Sequence, residues 1–130
     1  MRRSGWRRVA RLRVKPSWGL PHERGHTVSL YATADGYSLD IITHGLVRTR
    51  SSKVLNTAEV ERRLGALKRA RVPAFPCSPM AMDASLVQLT IEGEYSTLTL
   101  GWTGPAPDGA SGLARFADWL LGMVEDQDDD

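Results

Sequence analysis

Acidic side chains are nearly absent from the first 24 residues of this 130-residue chain, and basic side chains are nearly absent from the last 58. Residues 1–24 carry eight basic residues and one acidic residue, residues 25–72 carry eight and four, and residues 73–130 carry one and ten. The formal net charge of +2 therefore conceals segments of +7, +4 and −9. This layout predicts a surface that attracts an oppositely charged partner, although it does not determine the fold.

Cysteine and long apolar runs are scarce as well, and each absence excludes a class of protein. The single cysteine, Cys77, rules out an internal disulfide scaffold and is compatible with a reducing compartment. No apolar run approaches the roughly 20 residues that cross a bilayer, and no apolar segment follows the basic N-terminal residues. With 42% hydrophobic and 25% charged residues, the composition is that of one folded domain. We therefore expect a cytoplasmic protein without a membrane-spanning segment.

The basic N-terminal segment predicts an arm or an edge strand. Arg11, Arg13 and Lys15 alternate with Leu12 and Val14, which is the period of two that a half-buried strand has. We expect residues 1–10 to form a flexible basic arm, residues 11–124 to form a single α+β domain, and residues 125–130 to form an acidic disordered tail.

A first hairpin is the clearest element that the sequence predicts. Two alternating segments, 27–34 and 37–43, flank Asp35-Gly36, a dipeptide that accepts the positive φ angles of a tight turn. With these two residues as the loop, Leu30 lies opposite Ile41, and one face of the hairpin is nearly all apolar.

A second hairpin and two helices complete the predicted fold. The apolar alternation on either side of Gly93-Glu94 places Leu89 opposite Leu98. The first helix begins after Asn56 as N-cap and ends at Pro73, and a closing helix covers residues 113–124. A further strand is expected within residues 46–54. We therefore predict a two-layer α+β fold, with an antiparallel sheet of four to six strands covered on one face by two helices.

The motif His22-Glu23-Arg24-Gly25-His26 has the H-E-x-x-H spacing of one family of zinc hydrolases. In those enzymes one helix presents both histidines to the metal, and the glutamate activates the bound water. Here prolines and glycines surround the motif, it leads directly into the first predicted strand, and the usual third ligand is absent. We therefore interpret it as polar residues at the end of a strand. A zinc hydrolase remains an alternative.

A metal site without a helix is a further alternative. In the predicted register Thr27 lies opposite His44, so that His22, His26 and His44 could gather at the open end of the first hairpin.

Three stretches of the chain resemble known small proteins. They are LNTAEVERRLGALKRARVPAFP, MDASLVQLTIEGEYSTLTLGW and LARFADWLLGMV. In element order and hydrophobic placement they resemble the second part of small bacterial α+β proteins of the emfourin kind, which inhibit proteases by direct contact. They are also similar to immunity proteins that neutralise a bacterial toxin. The resemblance covers roughly residues 27–124, and it implies an inhibitor without a cofactor.

These observations lead us to expect a non-enzymatic protein-binding module that neutralises a bacterial toxin or protease by occlusion. The expected partner is a protein with an acidic surface, and the candidate binding residues are Arg48, Arg50, Arg62, Arg63 and Arg69. The alternative partner is a nucleic acid, bound through the basic N-terminal arm. No catalytic residue, resident metal or membrane contact is expected.

Overall fold

The computed structural model describes residues 5–15, 25–45, 47–70, 86–93, 95–103 and 109–128, with side chains as far as Val124. The elements in chain order are β1 (Arg7–Lys15), β2 (Gly25–Thr33), β3 (Gly36–His44), β4 (Thr49–Leu55), α1 (Thr57–Lys68), β5 (Leu86–Glu92), β6 (Thr97–Thr103) and α2 (Ser111–Asp128). The strands form one antiparallel six-stranded sheet in the order β4-β3-β2-β1-β5-β6. The α+β fold is confirmed.

The basic strand β1 lies in the middle of the sheet. Leu12 pairs with Val28 of β2 on one side and with Leu89 of β5 on the other. The expectation of an edge strand is therefore wrong, since an alternating pattern is the same for a central and an edge strand when one face is buried. The strand also begins at Arg7, so residues 7–10 belong to the sheet and not to the predicted arm.

The core lies between the sheet and the two helices. Each fully buried leucine side chain contributes about 2 kcal/mol to folding. The α1 helix buries Val60 against the sheet, and the α2 helix buries Leu120. The largest fully buried side chains are Leu12, Leu30, Leu39, Leu89, Leu120, Val28 and Val60.

The register of the first hairpin differs from the prediction by two residues. Leu30 pairs with Leu39, and the loop residues are Ala34 and Asp35. Among the described residues only glycines have positive φ, and here Gly36 takes a φ of 146° at the first position of β3. Gly36 is therefore the one residue of this turn that takes a positive φ angle. A shift of two residues keeps every side chain on its predicted face.

The second hairpin shows the same kind of shift. Leu89 pairs with Leu100, and the loop covers residues 93–96. The backbone N–H of Gly93 donates to the carbonyl of Ser96 at 2.8 Å, which closes this longer loop.

The helix boundaries are partly as predicted. Asn56 is the N-cap of α1, and its side-chain oxygen accepts the backbone N–H of Glu59 at 3.0 Å. The helix ends at Lys68, five residues before Pro73, and α2 extends beyond residue 124 to Asp128. Residues 125–128, predicted as part of a disordered tail, therefore have a helical backbone.

Neither described helix combines the length and the apolar character that crossing a membrane requires.

Candidate functional site

The sheet has a polar face on the side opposite the helices, which we call the open face. Because side chains alternate along a strand and paired residues share a face, the register assigns each strand residue to one side. No described helix covers the open face. Its rows contain the polar residues Arg8, Arg11, Arg13, Lys15, Thr27, Ser29, Tyr31, Ser38, Asp40, Arg50, Ser52, Gln88, Thr90, Glu92 and Thr99, and the apolar residues Ile42, Val54 and Leu86.

Arg11 lies at the centre of the open face. Its register partners are Ser29 of β2 and Thr90 of β5, which are 7% and 6% exposed. Burial lowers the pKa of the half-buried Arg11 guanidinium, and the positive charges of Arg8 and Arg13 lower it further. Within the described residues Arg11 makes no ion pair, so its charge is incompletely compensated.

The strands contribute two carboxylates to the open face, and both already bind an arginine. Glu92 of β5 accepts hydrogen bonds from Arg8, with Nη2 to Oε1 at 2.7 Å. Asp40 of β3 accepts from Arg50 of β4 at 3.1 and 3.0 Å. These contacts raise the pKa of both Arg8 and Arg50, because each hydrogen bond favours the charged guanidinium.

The remaining cations of this face lie along one strand. Arg11, Arg13 and Lys15 follow one another at every second position of β1, and Arg13 and Lys15 are exposed. This stripe is positioned to receive negative charge from a binding partner.

An aromatic pair lies at one end of the open face. The rings of Trp6 and Tyr31 are 5.8 Å apart between centroids and tilted by 44°. Beside them an open groove of about 570 Å³ is lined by Trp6, Ser38 and Val54 among others, and Val54 is 86% exposed. The open face therefore combines a cationic stripe with an aromatic pair and the exposed Val54 at one end.

The five arginines predicted to bind a partner are divided between two layers of the structure. Arg50 lies on the open face with Asp40, and Arg48 is exposed just before β4. Arg62, Arg63 and Arg69 belong to α1 or its C-cap, in the other layer. The structure does not bring all five together on one surface.

The helix arginines have partners within their own layer. Glu59 accepts from Arg62 at 2.6 Å and from Arg63 at 3.3 Å. Arg63 also lies over the ring of Trp119 in α2, 5.5 Å from the centroid. Arg69 is exposed at the C-cap. Arg63 therefore contributes to the contact between the helices, while Arg62 and Arg69 point towards solvent.

The structure does not bring the candidate metal ligands His26 and His44 together. His26 lies near the start of β2, and its Nδ1 is 3.2 Å from the hydroxyl of Thr43. His44 lies at the end of β3, and its Nε2 is 3.2 Å from the hydroxyl of Thr27. Because Gly25 pairs with His44, the neighbouring His26 projects from the opposite face of the sheet.

The H-E-x-x-H motif is described only in part. His22 and Glu23 lie outside the described residues, whereas His26 belongs to a strand and not to a helix. In the part of the chain that the structure describes, no three His, Cys, Asp or Glu side chains form a group that could hold a metal ion.

Sequence reasoning missed the residues at the centre of the open face. The alternation of Arg11 and Arg13 with apolar residues was visible, but it predicted only an arm or an edge strand. The pairing of Trp6 with Tyr31 had no sequence signal, since it depends on β1 lying beside β2.

No protein-family model, curated protein or solved structure matches this chain. Its function is therefore inferred from the geometry and charge of the open face.

Proposed function

We propose that this chain is a non-enzymatic protein-binding module of the cytoplasm, an inhibitor or immunity protein that neutralises a bacterial toxin or protease by occlusion. In this proposal the open face of the sheet covers an acidic surface of the partner. The observation that supports it most directly is Arg11, a half-buried cation at the centre of that face, between Arg8 and Arg13, with no ion pair among the described residues.

The electrostatics of this position favour an anionic partner group. Burial has already removed part of the hydration of Arg11, and its two neighbours repel its charge. A carboxylate placed over Arg11 would relieve both effects, because a guanidinium binds a carboxylate in a bidentate manner. The exposed cations Arg13 and Lys15 would increase the rate of encounter.

The aromatic pair and the exposed Val54 at one end of the open face support binding of a protein surface in particular. Tryptophan and tyrosine are enriched among the residues that contribute most to protein interfaces. Trp6, Tyr31 and the exposed Val54 would provide such contacts beside the groove, while the arginines would determine orientation. A six-stranded sheet whose surface is already formed needs little reorganisation on binding.

The test compares three tagged baits that are purified in the same way. They are the wild-type chain, Arg11→Gln with Arg13→Gln on the open face, and Arg62→Gln with Arg69→Gln on α1, which removes the same charge. A protein captured by the wild-type bait is purified, its affinity for each variant is measured by calorimetry, and inhibition of its toxic or proteolytic activity is assayed.

We expect the open-face variant to bind at least tenfold more weakly, which corresponds to about 1.4 kcal/mol, and to lose inhibition. The helix variant should stay within threefold of the wild type. The opposite result would assign the interface to the arginines of α1. A captured partner whose activity is unaffected by the wild-type chain would overturn the proposed inhibitory function.

A nucleic acid is the second candidate partner, and one observation favours it. The tilted aromatic pair of Trp6 and Tyr31 lies beside the line of Arg8, Arg11 and Arg13, and single-stranded nucleic acids bind surfaces that combine aromatic rings with cations. Binding of a labelled single-stranded oligonucleotide should then weaken steeply between 50 and 200 mM salt, roughly fiftyfold for four phosphate contacts.

The structure determines which variants can test this second candidate. Deleting residues 1–15 would remove the central strand β1 and unfold the sheet, so loss of binding would carry no information. Trp6→Ala and Arg13→Gln leave the strand in place. If both variants and the wild type fail to bind the oligonucleotide at low salt, the nucleic-acid candidate is eliminated.

A further inference from the structure

The two edge strands of the sheet differ in charge. β4 carries Arg50 and Lys53, and cations on an edge strand discourage pairing with another chain. β6 has the sequence TLTLGWT, without a charged residue or a proline. A strand of this kind is a template for further strand pairing, because its outer backbone N–H and C=O groups remain available. Within the described residues β6 pairs only with β5.

The side chains of β6 are compatible with an added strand. Leu100 and Trp102 are 8% and 7% exposed and face the core, whereas Leu98, on the same side of the strand, is 37% exposed at the edge of the core. Thr97, Thr99 and Gly101 are small and exposed on the open face. Neither side of β6 therefore presents a large or charged group that would block a neighbouring strand.

We propose that β6 pairs in an antiparallel manner with β6 of a second copy of this chain, about a two-fold axis at Leu100. This register places Leu98 opposite Trp102 and Thr99 opposite Gly101 of the other copy. The core-facing side of one copy's sheet continues into the core-facing side of the other copy's sheet, because paired residues lie on the same side of a sheet. The two sheets of six strands join into one of twelve. The inference is independent of the partner proposed above.

Leu98 supports the choice of a second copy as the occupant. It is 37% exposed on the core side of β6, and the two-fold register places it opposite Trp102 of the other copy. Each copy therefore covers a partly exposed apolar side chain of the other with one of its own.

Self-pairing also fits the charges better at this edge than at the other. Two copies of β6 bring no charge into the new contact. Two copies of β4 would bring Arg50 and Lys53 of each chain into the new contact, and charged side chains on an edge strand disfavour such pairing. The symmetry is closed, so that assembly ends at the dimer.

The experiment measures molar mass by sedimentation velocity from about 1 to 100 μM, the range in which micromolar dimers dissociate. The variants are Thr99→Lys on β6 and Ser52→Lys on β4. These two positions lie on the same face and at opposite ends of the register row Ser52, Asp40, Ser29, Arg11, Thr90 and Thr99. Ser52→Lys therefore controls for the added charge, and measuring the fold of Thr99→Lys controls for the loss of the 3.2 Å contact between the Thr99 and Thr90 hydroxyls.

We expect the wild type and Ser52→Lys to approach twice the 14.3 kDa of one chain, and Thr99→Lys to remain at 14.3 kDa. A wild type that stays monomeric, or a larger effect of Ser52→Lys, would refute the proposal. If circular dichroism shows that Thr99→Lys is unfolded, hydrogen exchange of the wild-type backbone amides tests the dimer instead. Loss of protection confined to β6 on dilution supports the dimer, and unchanged protection contradicts it.

Discussion

Arg8 and Glu92 are 84 positions apart in the chain, yet they are in direct contact across the strands β1 and β5. Nε of Arg8 is 3.1 Å from each carboxylate oxygen of Glu92, and Nη2 is 2.7 Å from Oε1. The two side chains are 30% and 24% exposed, so this ion pair is better shielded from water than a surface pair. It connects the C-terminal hairpin to the first strand on the open face.

A double-mutant cycle measures what this contact contributes to stability. For Arg8→Met and Glu92→Gln we expect a coupling of about 1–2 kcal/mol in the free energy of unfolding by urea, because the hydrogen bonds are charge-assisted and partly buried. The same cycle on Arg50 and Asp40 should give a smaller coupling, since the Arg50 side chain is 56% exposed. Equal couplings would contradict this account.

Two glycines of α2 should respond in opposite directions to alanine. A Cβ at Gly112 would lie 2.6 Å from Cβ of Ala70, which forces the helices apart, so Gly112→Ala should destabilise the protein by about 1–3 kcal/mol. Gly122 has no atom within 4 Å of the added Cβ, and Gly122→Ala should stabilise by about 0.5–1 kcal/mol through helix propensity. Thermal unfolding of both variants tests the packing of α2 beside α1.

The N-cap of α1 provides a local test of the helix start. Asn56→Ala removes the acceptor of the Glu59 backbone N–H and should cost about 1 kcal/mol in the free energy of unfolding. Asn56→Asp keeps an acceptor and should retain most of the stability. If alanine and aspartate behave alike, then the observed cap contributes nothing to folding.

Stability at acid pH should depend on Glu59. The hydrogen bond from Arg62, helped by the one from Arg63, lowers the pKa of Glu59 below its ordinary value of 4.5. Because the pKa of Glu59 is lower in the folded state than in the unfolded state, its ionised carboxylate stabilises the fold above the unfolded-state pKa. This stabilisation is lost as the pH falls through the folded-state pKa. The difference in Tm between the wild type and Glu59→Gln should therefore be largest near pH 7 and vanish towards pH 2.

The control for this titration is Glu61→Gln on the same helix. Glu61 makes no ion pair among the described residues, so its variant should differ less from the wild type at each pH. A difference between the wild type and Glu59→Gln that grows on acidification would contradict the predicted sign.

The elements and the faces of their side chains could be predicted from the sequence, because period and capping are local properties. Asn56 marks the start of α1 as expected, and Leu30 and Leu89 face the core as expected. The strand register could not be predicted, since it depends on where the turn places its unusual φ. Gly36 takes that angle within β3, which moves the whole pairing by two residues.

The candidate site was harder to predict because it depends on strand order. The pattern around Arg11 is compatible with any strand that has one buried face, and only the pairing with both β2 and β5 places it at the centre of the sheet. The predicted arginines of α1 were found from charge alone. Charge in a sequence does not distinguish the two layers, so Arg50 and Arg62 were assigned to one surface although they lie in different layers.

The central position of β1 has a consequence for synthesis on the ribosome. The strand is made early, but its second neighbour, β5, begins only at Leu86, after 70 further residues have been added to Lys15. Until then one side of the strand has unsatisfied backbone groups, and the apolar residues Leu12 and Val28 lack the cover that α2 provides. Native pairing over such a long separation is slow. We therefore expect nascent chains that stop before β5 to aggregate or recruit a chaperone, and a separate peptide of residues 86–124 to rescue them by occupying the vacant side of β1.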